Sequence, residues 1–106
     1  MGSTVETFPN LREHILKERG PQCEYCHIMP WTELHHCLIH DSKRLHAAVT
    51  VPENLMAVCR YCHPLCNGHD VRVQFAKEQV RRGYDIRGWY RSLQLKIKEH
   101  WLYELD

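Results

Sequence analysis

The residues of this chain best suited to chemistry are its cysteines and histidines, six and nine respectively among 106 residues. Four cysteines form two C-x2-C pairs with 32 residues between them. A two-residue spacer lets both thiolates of a pair turn toward one ion, and two such pairs complete the tetrahedron that zinc prefers. The spacing therefore predicts a closed, structural zinc site made of Cys23, Cys26, Cys59 and Cys62.

Disulfides or free thiols are the alternatives to a metal site. Residues 1–10 lack the basic start and apolar stretch of a secretory signal, and no run of about 18 apolar residues occurs. We therefore expect a protein of the cytoplasm with no membrane partner. Paired cysteines in that compartment are more often metal ligands than disulfides. The two remaining cysteines, Cys37 and Cys66, are expected to be small buried apolar residues.

A second group of polar residues lies between the two cysteine pairs and directly after them. In chain order these are Glu33-Leu-His35-His36, then Asn54-Leu, then His63 immediately after Cys62. Imidazole serves both as a metal ligand and as a general base, because its unperturbed pKa lies near neutral pH. A lone histidine is usually structural, so the significance of these residues depends on their combination.

Taken in order, this segment resembles the zinc-bearing HNH endonucleases, whose pattern is C-x2-C, then [DE]-x-H-H, then N-L, then C-x2-C-H. The match runs from Cys23 to His63, and residues 82–93 are similar to the tail of small, phage-type members. The resemblance implies an α+β fold with a small ββα-metal (His-Me finger) core built on the four-cysteine zinc site. An N-terminal helix and one or two C-terminal helices would complete that fold. The likeness to phage-type members also implies that the cytoplasm is that of a bacterial or phage-infected host cell.

The same resemblance implies a metal-dependent DNA endonuclease that nicks or cuts both strands. His36 would be the general base that takes a proton from water, His35 and His63 would hold one divalent cation, and Asn54 would brace the loop that presents the base. Phosphodiester hydrolysis needs an activated water and stabilised charge on the phosphoryl oxygens. Mg²⁺ or Mn²⁺ is the expected catalytic cation, with Zn²⁺ or Ni²⁺ as alternatives because two imidazoles favour them.

The sequence departs from the family pattern just after His63. Gly68 costs roughly 1 kcal/mol inside a helix relative to Ala, so a helix begun at His63 is expected to end after one turn. Asn67 stands at the family's offset of four and is the predicted last metal ligand, with His69 as the alternative. Adjacent side chains of a strand point to opposite faces, so His35 and His36 face one cation only if a bend or bulge intervenes.

Basic residues indicate a polyanionic partner. Residues 71–100 carry eight basic and three acidic side chains, whereas the whole chain has a net charge of only +1. A solvated helix face explains such charge equally well. We expect a monomer or homodimer that binds double-stranded DNA, and the candidate contacts are Lys43, Arg44, Arg72, Arg81 and Arg82. The alternative function is a zinc-stabilised nucleic-acid-binding module without catalysis.

The periodicity of apolar residues predicts the elements that position these groups. One domain, residues 1–106, divides into an N-terminal helix (10–20) capped by Asn10, a zinc and ββα-metal core (21–70), and a basic helical tail (71–106). Within the core, residues 33–39 and 55–59 are predicted strands that pair. The tail is predicted to hold a helix over 71–82, capped by Asp70, and another over 85–101. The apolar stripe of the last helix is Trp89, Leu93, Ile97 and Trp101.

Overall fold

In the computed structural model, which describes residues 10–96 and 98–105, the two predicted strands pair with each other. Strands β1 (Glu33–His36) and β2 (Leu55–Val58) are antiparallel, and their four residue pairs follow one another without a bulge. Because strand side chains alternate, His35 leaves one face of this sheet and His36 leaves the other. All four residues of β2 are buried.

Helices surround this two-stranded sheet. In chain order they are α1 (Leu11–Arg19), α2 (His46–Val49), a 3₁₀ helix (His63–Leu65), α3 (His69–Arg81), α4 (Ile86–Ser92) and α5 (His100–Tyr103). Within the described ranges, no helix has the length and apolar character needed to cross a membrane. The predicted α+β class is confirmed at this level, with a pair of strands and several helices.

Each face of the sheet packs against different helices. On one face, Leu55 and Ala57 form a small buried cluster with Ile15 of α1. The other face joins the large core that includes Phe75 of α3 and Trp101 of α5. Burying a side chain such as Ile15, which is fully inaccessible, stabilises the fold by roughly 1.5–3 kcal/mol.

The two predicted helix caps differ from the observed ones. The side chain of Asn10 makes no capping hydrogen bond, and its backbone oxygen instead accepts from the His14 N–H at 2.9 Å. Helix α3 begins at His69, after Gly68, so Asp70 lies in the first turn rather than at the cap. A carboxylate in that turn still interacts favourably with the helix dipole.

The prediction of one helix over residues 85–101 is wrong. Asp85 caps α4 by accepting from the Gly88 N–H at 2.9 Å, but the helix ends at Ser92 and Gln94 has a positive φ of 54°. In a continuous helix, Tyr90 and Trp101 would be about 16 Å apart along the axis. Their rings are instead 5.5 Å apart, edge to face.

A tertiary hydrogen bond accompanies this reversal of the chain. The Trp101 indole N–H donates to the carbonyl oxygen of Leu38 at 3.2 Å, so α5 is tied to the loop after β1. Burial of Trp101 against the core therefore accounts for the break. Ile97, the fourth member of the predicted stripe, lies outside the described residues.

Candidate metal centre and active site

The four paired cysteines come together in space. Cys23 and Cys26 lie in the loop before β1, and Cys59 and Cys62 follow β2; their sulfur atoms all lie within 4.8 Å of one another. With Zn–S bonds of about 2.3 Å, tetrahedral zinc places its ligand sulfurs about 3.8 Å apart. All four are free thiols. The predicted four-cysteine cluster is confirmed, and it can hold a metal ion such as zinc.

The thiols of this cluster differ in how readily they ionise. Hydrogen bonds from the backbone at Met29 and Ile28 lower the pKa of Cys26 to about 6, which favours a thiolate at neutral pH. Burial raises the pKa of Cys62, so a metal ion that binds there displaces a proton. Affinity of the cluster for metal should therefore fall as the pH is lowered.

Cys37 and Cys66 are buried outside the cluster. Burial raises the pKa of Cys66 to about 11 and also raises that of Cys37, so both remain thiols at neutral pH. The Cys66 thiol donates to the Cys62 carbonyl oxygen at 3.2 Å. These environments agree with the prediction that both are small, unreactive core residues.

Two of the predicted site histidines lie side by side. The rings of His35, on β1, and His63, in the 3₁₀ helix, have centroids 4.9 Å apart in an edge-to-face arrangement. His35 Nε2 lies 3.1 Å from the carbonyl oxygen of Cys66. Because a carbonyl only accepts, Nε2 carries the proton and Nδ1 keeps its lone pair. Burial lowers the pKa of His35 to about 4, so this ring is neutral at pH 7.

A carboxylate orients the second ring of this pair. His63 Nδ1 lies 2.5 Å from Glu33 Oε1, and since a carboxylate accepts, the lone pair of His63 is on Nε2. Histidines that bind metals almost always donate their other N–H to a carboxylate or carbonyl. Glu33 was not singled out from the sequence for this contact. Its position two residues before His35 could have indicated this contact, because residues two apart in a strand lie on the same face.

Asn54 makes four hydrogen bonds in a fully buried position. Its Oδ1 accepts from the Leu38 and Ile39 N–H groups at 2.8 and 2.9 Å. Its Nδ2 donates to the carbonyl oxygens of Ile39 and Val49 at 2.8 and 2.9 Å. These are the contacts expected of a residue that braces the loop after β1, and they use the full capacity of the amide.

His36 occupies the opposite face of the sheet from His35. Because β1 is regular, the two rings do not converge on one cation, as a bulged strand would have allowed. His36 Nε2 lies 3.0 Å from the Thr50 hydroxyl. Burial lowers the pKa of His36 despite the opposing effect of the nearby Asp41 carboxylate, so the ring is a neutral proton acceptor at pH 7.

The helix that begins at His63 ends after one turn, as predicted. The 3₁₀ helix ends at Leu65. Asn67 lies in the connection to α3 and His69 in the first turn of α3, and both residues are exposed. The His69 ring stacks on that of His100 at a centroid distance of 4.0 Å. The identity of the last ligand stays a prediction.

The five predicted DNA-contacting cations divide into two groups. Arg72 donates to the Leu38 carbonyl and pairs with Glu99, and Arg82 bonds to Gln79 and Glu24, so both guanidinium groups are engaged inside the fold. The other three are exposed at the surface. They are Lys43 and Arg44, before α2, and Arg81, which pairs with a neighbouring carboxylate of α3.

Comparison with protein-family models, curated proteins and solved structures found no match to this chain.

Proposed function

We propose that this protein is a metal-dependent endonuclease that hydrolyses DNA phosphodiester bonds. The observation that carries the proposal is the pair His35 and His63, whose rings lie side by side. One N–H of each ring already donates a hydrogen bond, to a carbonyl oxygen for His35 and to a carboxylate for His63. Each ring keeps one lone pair for a cation. Histidines that bind metals usually make such hydrogen bonds. His35 and His63 also occupy the positions of the metal ligands in the HNH pattern.

The proposed core is a ββα-metal unit held by structural zinc. Its parts are the antiparallel strands β1 and β2, the short 3₁₀ helix that carries His63, and the four-cysteine cluster that flanks the strands. Zinc at that cluster would contribute folding free energy to a chain whose core is small. The cluster has no open ligand position, so we assign it to structure and not to catalysis.

The chemistry divides between the two faces of β1. A divalent cation at His35 and His63, Mg²⁺ or Mn²⁺ in our proposal, supplies positive charge to the phosphoryl oxygens when bound. His36 takes the proton of the attacking water, a task that suits a neutral imidazole not consumed as a ligand. Asn54 keeps the backbone that follows His36 in place through its four hydrogen bonds.

Phosphate contacts would come from the three predicted cations that are exposed at the surface. Lys43 and Arg44 lie on the loop after β1, near the proposed base in sequence, and Arg81 is 62% exposed. We retain these three as the contacts to DNA and do not retain Arg72 and Arg82, which are held by internal carboxylates. Contacts to the phosphate backbone carry no base specificity.

The direct test is cleavage of supercoiled plasmid by zinc-loaded protein with Mg²⁺, Mn²⁺, Ni²⁺ or Zn²⁺ added separately. We expect nicked or linear product with at least one ion, and loss of product for His63→Ala. The matched control is His40→Ala, an exposed histidine of the loop after β1 that has no part in the proposed site. Salt-dependent DNA binding without cleavage under any ion would support a binding module instead.

A further inference from the structure

A second group of metal-ligating side chains lies on the other face of β1, around His36. One ring nitrogen of His36, one of His46 and a carboxylate oxygen of Asp41 all lie within 4.8 Å of one another. These residues come from three places: the end of β1, the following loop and the start of α2. None of them contributes to the four-cysteine cluster or to the pair His35 and His63.

We propose that His36, Asp41 and His46 form a second transition-metal site, which takes Zn²⁺, Ni²⁺ or Co²⁺. Two imidazoles and one carboxylate with open positions are a donor set that selects such ions over Mg²⁺ or Ca²⁺, which prefer oxygen ligands. Exposed acidic groups alone would not support a site. Here a half-buried strand histidine and a second histidine converge with the carboxylate.

The distance between His46 and Asp41 is close to that between neighbouring ligands of one ion, and His36 lies within 4.8 Å of both. His46 Nδ1 lies 2.8 and 3.0 Å from the two Asp41 carboxylate oxygens. Ligand atoms around an ion with bonds of about 2.1 Å are separated by about 3.0 Å in an octahedron and about 3.4 Å in a tetrahedron. The Thr50 hydroxyl lies 3.0 Å from His36 Nε2 and 3.4 Å from His46 Nδ1, which shows how closely the two rings approach.

The loop that carries two of the ligands is held at both ends by one residue. The Asn54 amide donates to the carbonyl oxygens of Ile39 and Val49, on either side of the segment that contains Asp41 and His46. Inside the loop, the Ser42 hydroxyl accepts from the Leu45 N–H at 3.2 Å. Ligands supported in this way need little rearrangement to bind an ion.

Occupation of this site would remove the proposed general base. A lone pair of His36 that binds an ion cannot at the same time take a proton from water. Micromolar Zn²⁺ should therefore inhibit Mg²⁺-dependent cleavage through Asp41 and His46. This consequence rests on the proposed function, whereas the metal site itself does not.

The binding test uses full-length protein whose four-cysteine cluster is loaded with zinc. The probe is Co²⁺, followed by calorimetry and by its visible d–d absorption. All variants are made in a His63→Ala background, so that the pair His35 and His63 does not contribute. We expect one Co²⁺ per chain, with affinity at least about 100-fold weaker after His46→Ala or Asp41→Asn and unchanged after His40→Ala.

Equal Co²⁺ affinity in all these proteins, or no binding in the parent, would overturn the site. Zinc content and thermal melting serve as folding controls, and both substituted residues are exposed. The inhibition is measured separately in the His63-containing protein, as the ratio of cleavage rates with and without added Zn²⁺. If His46→Ala leaves this ratio unchanged, Zn²⁺ does not inhibit cleavage through this site. That result would not affect the metal site itself. Absence of any cleavage would refute the proposed function and leave the Co²⁺ result standing.

Discussion

Replacing Asn54 by alanine should be among the most destabilising single changes in this protein. The side chain is fully buried and satisfies two backbone N–H groups and two carbonyl oxygens of the loop after β1. A net contribution of about 1 kcal/mol per hydrogen bond gives about 4 kcal/mol for the four. That is a large share of the 5–15 kcal/mol that stabilises a typical domain.

The measurement is urea unfolding at neutral pH with zinc present, comparing Asn54→Ala with Asn67→Ala. Asn67 is exposed, so its replacement should change the unfolding free energy by less than about 0.5 kcal/mol. Asn54→Asp is a second comparison, since a carboxylate keeps the acceptor but places negative charge against the carbonyl oxygens of Ile39 and Val49. If Asn54→Ala costs under 1 kcal/mol, the amide does not hold this loop as described.

Three further predictions concern the metal sites and the buried histidine. Chelation of zinc, or Cys59→Ser, should unfold the central region; circular dichroism unchanged after complete zinc removal would contradict this. Glu33→Gln should weaken Mn²⁺ binding by about 10–100-fold because it removes the carboxylate that orients His63, and calorimetry showing equal affinity would exclude that role. Burial lowers the pKa of His35 from 6.5 to about 4, so the unfolded chain binds a proton between these values that the folded protein does not. Stability should therefore fall as the pH drops from 7 to 4, by up to about 3 kcal/mol from this residue. His35→Asn should make the fall shallower by that amount in urea titrations, and an unchanged slope would contradict it.

Spacing was sufficient to predict the four-cysteine cluster, because two C-x2-C pairs have few other ways to satisfy four thiols in a small domain. The pairing of β1 with β2 also followed from local pattern. The break between α4 and α5 did not, since it occurs at Gln94 without a glycine or proline to mark it. After this break the chain turns back, and Trp101 packs on the core. A tertiary contact of this kind overrides the helical periodicity of apolar residues in the sequence.

The sequence predicted that His35 and His63 would lie close together, whereas several contacts around the candidate site could not be predicted from it. The strand alternation already separated His35 from His36, and the regular register agrees with that separation. The approach of His46 and Asp41 to His36 depends on how the loop after β1 folds. Arg72 and Arg82 were predicted to contact DNA because the number of charges in a segment does not show which cations pair with carboxylates of the same chain.

The central claim is tested most directly by the rate at which zinc-loaded protein nicks plasmid DNA under single-turnover conditions, with and without His36→Ala. Loss of a general base should lower the rate by about 10²–10⁴-fold. The affinity of the pair His35 and His63 for Mg²⁺ or Mn²⁺ and the affinity for DNA should remain unchanged, and His40→Ala should cleave at the parent rate. A His36→Ala protein that cleaves as fast as its parent would contradict the assignment of His36 as the base.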